Sequence, residues 1–169
     1  MKRKLIGLVA AVAASLVMAT GASAESAEPK YGGTLKYASH NTTSTPGYTP
    51  DNSNNASLIF LNTAYESLTY YDESGAIIPR LATEWTTDPE EPSITWTLRE
   101  GVQFADGTDF NAEAVKVNIE EYQKCSRNET ANVASVEVID DYTVKMILNS
   151  WNSSTLESVG FFVYYMSPA

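Results

Sequence analysis

Between Ser93 and Lys124 the chain reads SITWTLREGVQFADGTDFNAEAVKVNIEEYQK, and that run leaves few foldings open. Ile94, Trp96 and Leu98 alternate with Thr95, Thr97 and Arg99, the period of a half-buried strand. This alternation puts Trp96 on the core side with Ile94 and Leu98. Gly101 interrupts the pattern, Val102 and Phe104 resume the apolar face, and Asp106-Gly107 supplies a tight turn. Asn111 reads as a helix N-cap, because its side-chain oxygen can accept from an otherwise unpaired N–H of the first turn. Glu113 sits in that first turn, where the helix dipole favours an anion. Ala112, Val115, Ile119 and Tyr122 then fall at helical spacing and give the helix one apolar face. Lys116, Glu120 and Lys124 follow one another at four-residue intervals on the wet side, with Glu120 placed to support Lys124. Strand, glycine turn, short second strand, tight turn and capped helix therefore follow without a gap.

The flanks supply further short elements. Gly33–Ala38 alternates and reads as a first strand, followed by a Ser/Thr/Asn/Pro/Gly-rich loop from Ser39 to Asn55. A helix is expected over Asn55–Ser67. Leu68–Tyr71 and Ala76–Pro79 form strands about the Asp72–Gly75 turn. Leu81–Trp85 reads as a short helix or turn, and Asp88–Pro92 as an acidic loop. Lys124–Asn132 is a polar connection. Ser135–Ile139 and Tyr142–Leu148 form a hairpin across Asp140-Asp141, and Ser153–Gly160 a last helix before the aromatic run Phe161–Tyr165. The fold class is α/β, or mixed α+β, with short strands.

The motif W-T-L-R-E-G-V-Q-F-A-D-G-T-D-F-N-A-E-A-V, over Trp96–Val115, resembles the signature of family 5 extracellular solute-binding proteins. Gly32-Gly33-Thr34-Leu35, Tyr65-Glu66-Ser67-Leu68, Leu81-Ala82-Thr83-Glu84-Trp85, Val136–Val144 and Ser167-Pro168 extend the likeness over nearly all of Tyr31–Ala169. Ala105, Asp109 and Ala114 stand where histidine, proline and aspartate are commoner in that family. The resemblance implies a two-lobed periplasmic-binding-protein fold whose lobes close on a solute and hand it to the membrane permease of an ABC importer. Neither chemistry on the solute nor a cofactor is implied. The family is usually several times longer, so 32–169 is expected to be an incomplete, N-terminal portion of the solute-binding domain. On that reading the chain exposes an unpaired strand edge and binds no solute with submicromolar affinity alone. A complete member is expected to be a monomer.

The address precedes this domain. Lys2, Arg3 and Lys4, an uncharged run from Leu5 to about Thr20, and Ala22-Ser23-Ala24 make residues 1–24 a secretory signal peptide. The apolar run is shorter than the ~20 residues that a bilayer span wants. No cysteine follows it, so no lipoprotein anchor is encoded, and residues 25–31 form a disordered leader. The mature product is then periplasmic or extracellular. Removing residues 1–24 takes away three basic residues and no acidic one, so the net charge moves from −10 to −13. Such acidity argues against nucleic acid and anionic membrane surfaces as partners.

Catalysis finds little material. His40 is the single histidine, so any Ser–His or Cys–His device would have to use it. The adjacent carboxylates Glu120-Glu121 and Asp140-Asp141 diverge on a helix and a turn. Cys125 is the single cysteine, expected as a partly buried thiol near a helix end, and neither a disulfide nor a CxxC site is available. No catalytic residue and no metal ligand is assigned. A secreted hydrolase would need a nucleophile–base pair, and a surface interaction module would bring an anchor or repeats. Neither is visible. Binding has a better candidate in His40, Asn41, Thr42 and Thr43, which leave the first strand where α/β sheets place ligand loops. The family resemblance implies that this segment lines the cleft. Tyr164, Tyr165 and Trp151 read as either stacking faces or core, and Trp85 is unplaced. The solute is left open among oligopeptide, nickel chelate and sugar.

Mass spectrometry of the exported protein should find its N-terminus at or near Glu25. A full-length, membrane-retained product would contradict the signal-peptide reading.

Overall fold

A computed structural model describes residues 31–34, 36, 38, 47–51 and 55–169, with 55–59 as backbone alone. The chain divides into two units, residues 1–37 and 38–169. In the first only residues 31–34 and 36 are described, and every named element belongs to the second. The expected first strand and the signal peptide fall wholly or partly outside the described residues.

Helix α1 spans Asn55–Ala64, after a 3-10 turn at Thr49–Asp51. Strands β1 (Thr69–Tyr71) and β2 (Ile77–Pro79) make a two-stranded antiparallel ribbon. Its turn is built by Asp72, whose Oδ1 accepts from the Ser74 and Ala76 N–H groups at 2.8 and 2.9 Å. Four strands, β3 (Ala82–Asp88), β4 (Ser93–Leu98), β5 (Val133–Asp140) and β6 (Thr143–Leu148), form an antiparallel sheet in the order β3-β4-β6-β5. Helix α2 (Ala112–Lys124) packs against β5 and β6, and α3 (Ser153–Phe161) against β1.

The sheet register explains the two-residue period. Trp85, Trp96, Val144 and Val138 stand in one cross-strand row, and Thr87, Ile94, Met146 and Val136 in the next. Trp96, Ile94, Val144 and Met146 are buried in the core with Val115, Ile119 and Tyr122 of α2. Each such burial stabilises by roughly 1.5–3 kcal/mol. The intervening row, Thr86, Thr95, Lys145 and Glu137, faces the other way and stays polar. Alternation therefore buries the Trp96 face at the inner strands β4 and β6, while Thr87 and Val138, at the β3 and β5 ends of the two rows, stay exposed.

Leu81–Trp85 departs from expectation: Ala82–Trp85 belong to β3, and Leu81 immediately precedes it. Leu81 and Trp85 are four residues apart, which suits one face of a helix and one face of a strand equally. Pairing with β4 decides, because it sets Trp85 opposite Trp96 with ring centroids 5.7 Å apart. Thr83, Thr86 and Thr87 add strand preference.

After β4 the expected short second strand is reduced to an isolated bridge between Gln103 and Asp109, because the Asp106-Gly107 turn closes within a few residues, while the turn and the cap form as expected. Gly107 takes φ +87°, open to glycine at little cost, and its N–H donates to the Phe104 carbonyl at 2.9 Å. Phe104 in turn donates its N–H to Thr108 O at 2.8 Å. Asn111 is extended, and its Oδ1 accepts from Ala114 N at 2.9 Å, which caps α2. Both ends of α2 are tied to the second hairpin. Ala112 N donates to Asp141 O at 2.8 Å, and Gln123 Nε2 to Val133 O at 2.7 Å. Lys124 pairs with Glu121 rather than with the expected Glu120. Cys125, at the C-cap, is exposed, not partly buried, because it lies past the last buried residue of α2, Tyr122.

Gly160 marks the closest approach of α3. A Cβ there would lie 2.7 Å from Thr69 Oγ1 and 3.1 Å from Trp96 Cη2. Only a residue without a side chain lets α3 meet β1 and the Trp96 ring at that distance.

Trp96→Ala should cost roughly 3–5 kcal/mol, as expected for deleting a buried ring. Asn111→Ala should cost on the order of 1 kcal/mol through loss of one cap. Chemical denaturation ranks the two, and a neutral Trp96→Ala would remove that ring from the core.

Candidate functional site

A segment of extended backbone, Val163–Ser167, runs between α2 and the chain after α1. Tyr165 forms an isolated antiparallel bridge with Glu66, its N–H donating to Glu66 O at 3.0 Å. On the opposite edge the partners are side chains. Met166 N donates to Asn118 Oδ1 at 3.0 Å, and Asn118 Nδ2 donates to Met166 O at 2.8 Å. Tyr164 N donates to the Tyr122 hydroxyl at 3.0 Å, and Thr49 Oγ1 donates to Tyr164 O at 3.0 Å. The Asn118 amide also donates to Ala114 O at 2.8 Å, one turn back in α2.

Beside this segment lies a concavity of about 700 Å³. One wall is Tyr165–Ala169, a second is the Val102–Asp106 loop, and a third is the α2 surface at Val117 and Glu121. Gly47, Tyr48 and Tyr65 form its rim, where the Tyr65 hydroxyl donates to Gly47 O at 3.2 Å. Three carboxylates line it, those of Glu66, Asp106 and Glu121. The Lys124 ammonium, and after it the Tyr48 hydroxyl, hold the Glu121 carboxyl below the usual carboxylate range. The Ser167 hydroxyl and the Thr108 N–H do the same for Asp106. The Tyr48 phenol is pushed up by its contacts with Cys125 Sγ, at 3.6 Å, and with Glu121 Oε2, at 3.0 Å.

His40, Asn41, Thr42 and Thr43 lie outside the described residues. Tyr164 and Tyr165 are buried and present no open stacking face. Tyr165 instead meets Phe110 edge-on at 5.8 Å. Trp151 and Trp85 pack against the core. Among the described residues no group of three or more His, Cys, Asp or Glu side chains could hold a metal ion. Sequence reasoning passed over Thr49 and Asn118, and read Glu121 only as a carboxylate diverging from Glu120 on the helix. The one available signal was Asn118 itself, a short amide immediately before Ile119 on the apolar side of an otherwise legible helix.

Comparison with known proteins places this arrangement. Residues 76–169 match the bacterial extracellular solute-binding proteins, family 5 (middle). The chain belongs to that family, whose members are periplasmic or extracellular. Glutathione-binding protein GsiB of Salmonella typhi is 37% identical over 89 residues, covering 50% of this chain and 17% of GsiB. Among solved structures, NikA from Brucella suis in complex with Fe(III)-EDTA is 30% identical at a TM-score of 0.61, over 66% of this chain and 24% of NikA. An ABC transporter substrate-binding protein from Sinorhizobium meliloti is 30% identical at a TM-score of 0.63, over 72% of this chain and 26% of that one. The chain thus spans about a quarter or less of the length of these relatives. GsiB and the Sinorhizobium meliloti protein are binding proteins by name, and the mixed α/β architecture is common to the solved ones.

Because Glu121 and Asp106 ionise below the usual range when folded, their contribution to stability is present above that range. It is lost as pH falls through the lowered values. Carboxyl-carbon NMR titration should place both inflections below those of exposed carboxylates. Tyr48→Phe, which removes one donor, should move the Glu121 inflection upward; an unchanged or lower inflection would contradict the Tyr48–Glu121 contact.

Proposed function

We propose that the protein is the extracytoplasmic receptor of an ABC importer, capturing a peptide or similar small solute and delivering it to a membrane permease. The observation that carries this reading is the family match over residues 76–169, joined to 37% identity with a glutathione-binding protein. Oligopeptides head the candidate solutes, since glutathione is itself a small peptide. Nickel chelates and sugars follow. His40, Asn41, Thr42 and Thr43 contact the solute, and by chain continuity they stand within a few residues of the Gly47–Tyr48 rim. Specificity then comes from cleft shape and a few polar groups. Closure is a hinge motion driven by solute contacts with both lobes. Residues 32–169 supply part of the solute-binding domain, and the protein performs no reaction on its solute.

Export fits this role. The signal peptide is cleaved after Ala24, and without a lipobox cysteine the product is released into the periplasm or medium. Net acidity keeps nucleic acid from being a partner.

Disruption of the gene, followed by uptake assays with labelled dipeptides, glutathione, nickel–histidine and oligosaccharides, tests the proposal. Uptake of one class should fall and return on complementation. Unchanged uptake of every class, or turnover of a solute by the purified protein, would overturn it.

A further inference from the structure

The geometry points to Asn118, with Tyr122 and Thr49, as positioning residues that hold the Tyr164–Met166 backbone in place as a wall of the solute site. An extended segment sends the N–H and C=O groups of alternate residues to opposite edges. Here one edge meets backbone, through Tyr165 N and Glu66 O. The other edge, at Tyr164 and Met166, meets no strand among the described residues. Its four polar groups are met by Tyr122, Thr49 and both ends of the Asn118 amide. Asn118 and Tyr122 are one helical turn apart, so their side chains stack along α2 at a spacing that serves alternate strand residues. Helix α2 therefore takes the place of a neighbouring strand.

The chemistry of the chosen residues fits that task. A peptide group on a strand edge needs one acceptor and one donor, and an amide side chain carries both. Asn118 is 1% exposed and spends its amide on Met166 and Ala114. Asp could not donate to Met166 O, and Leu could neither donate nor accept. Unpaired, the buried Tyr164 and half-buried Met166 groups would lack partners, so the segment would shift to find water. Because Tyr165–Ala169 walls the concavity, such a shift changes the shape offered to a solute. This last step rests on the solute-binding reading above; the pairing itself does not.

Residue-resolved amide hydrogen exchange on Asn118→Leu, Tyr122→Phe and the core variant Val144→Ala tests the inference, together with uptake by cells carrying each variant. Asn118→Leu should speed exchange at Met166 by about five- to tenfold and leave the β4 and β6 amides unchanged. Tyr122→Phe should act in the same way at Tyr164. Val144→Ala, acting through global stability, should speed all slow amides together. Asn118→Leu should also raise the apparent KM for uptake with little change in the maximal rate. Should Asn118→Leu fail to fold, Tyr122→Phe decides by the same two readouts. Uniform acceleration, or none, in the Asn118 and Tyr122 variants would overturn the clamp. Local acceleration with an unchanged KM would overturn its role in the site. Loss of all uptake dependence on the wild-type gene would sink the solute reading instead, and exchange alone would then judge the clamp.

Discussion

Burial of Val115, Ile119 and Tyr122 fixes the rotation of α2 on the sheet, and that rotation aims Asn118 at the backbone of Met166. Rotating the helix by one residue, about 100°, would expose the apolar stripe and withdraw the amide together. Hydrophobic burial supplies the energy and the polar pairing supplies the placement. Ties from Ala112 to Asp141 and from Gln123 to Val133 prevent sliding along the axis. The polar contacts of the concavity wall are thus cheap to specify once the core has formed, since α2 is already immobile.

The same core reaches α3. Trp96 stands between the sheet and Gly160, and Thr69 on β1 closes the contact. Phe161 continues from that point and lies 4.8 Å from Tyr71 and 5.7 Å from Tyr70. The aromatic run at 161–165 is therefore threaded through fixed neighbours on both sides before it reaches Asn118. Position is transmitted from β4 to the concavity through packed rings, with few flexible links between.

Legibility in the sequence followed the range of the interactions involved. The β4 alternation, the Asp106-Gly107 turn and the Asn111 cap depend on residues within about four positions, and each was readable. Strand β3 was misread because Leu81 and Trp85 satisfy two periods, and the contact that decides between them is made across the sheet. Cys125 was placed too deep because apolar periodicity says where a helix faces the core but not where the chain leaves it. Asn118 was invisible as a functional residue because its partner lies 48 residues away. Family resemblance rested on motif order, which survives without any of these contacts. It therefore reached the class of the protein while leaving the site residues open.

The central proposal is that a small solute is received at residues 40–43 and along the wall held by α2. Nitrogen–proton NMR of the protein, titrated with dipeptides, glutathione and nickel–histidine, tests it most directly and detects weak binding. The account predicts shifts at residues 40–43, at Gly47 and Tyr48, and at Tyr164–Ser167, with Thr86, Thr95 and Lys145 on the outer sheet face undisturbed. Shifts confined to that outer face, or none with any solute at millimolar concentration, would contradict it.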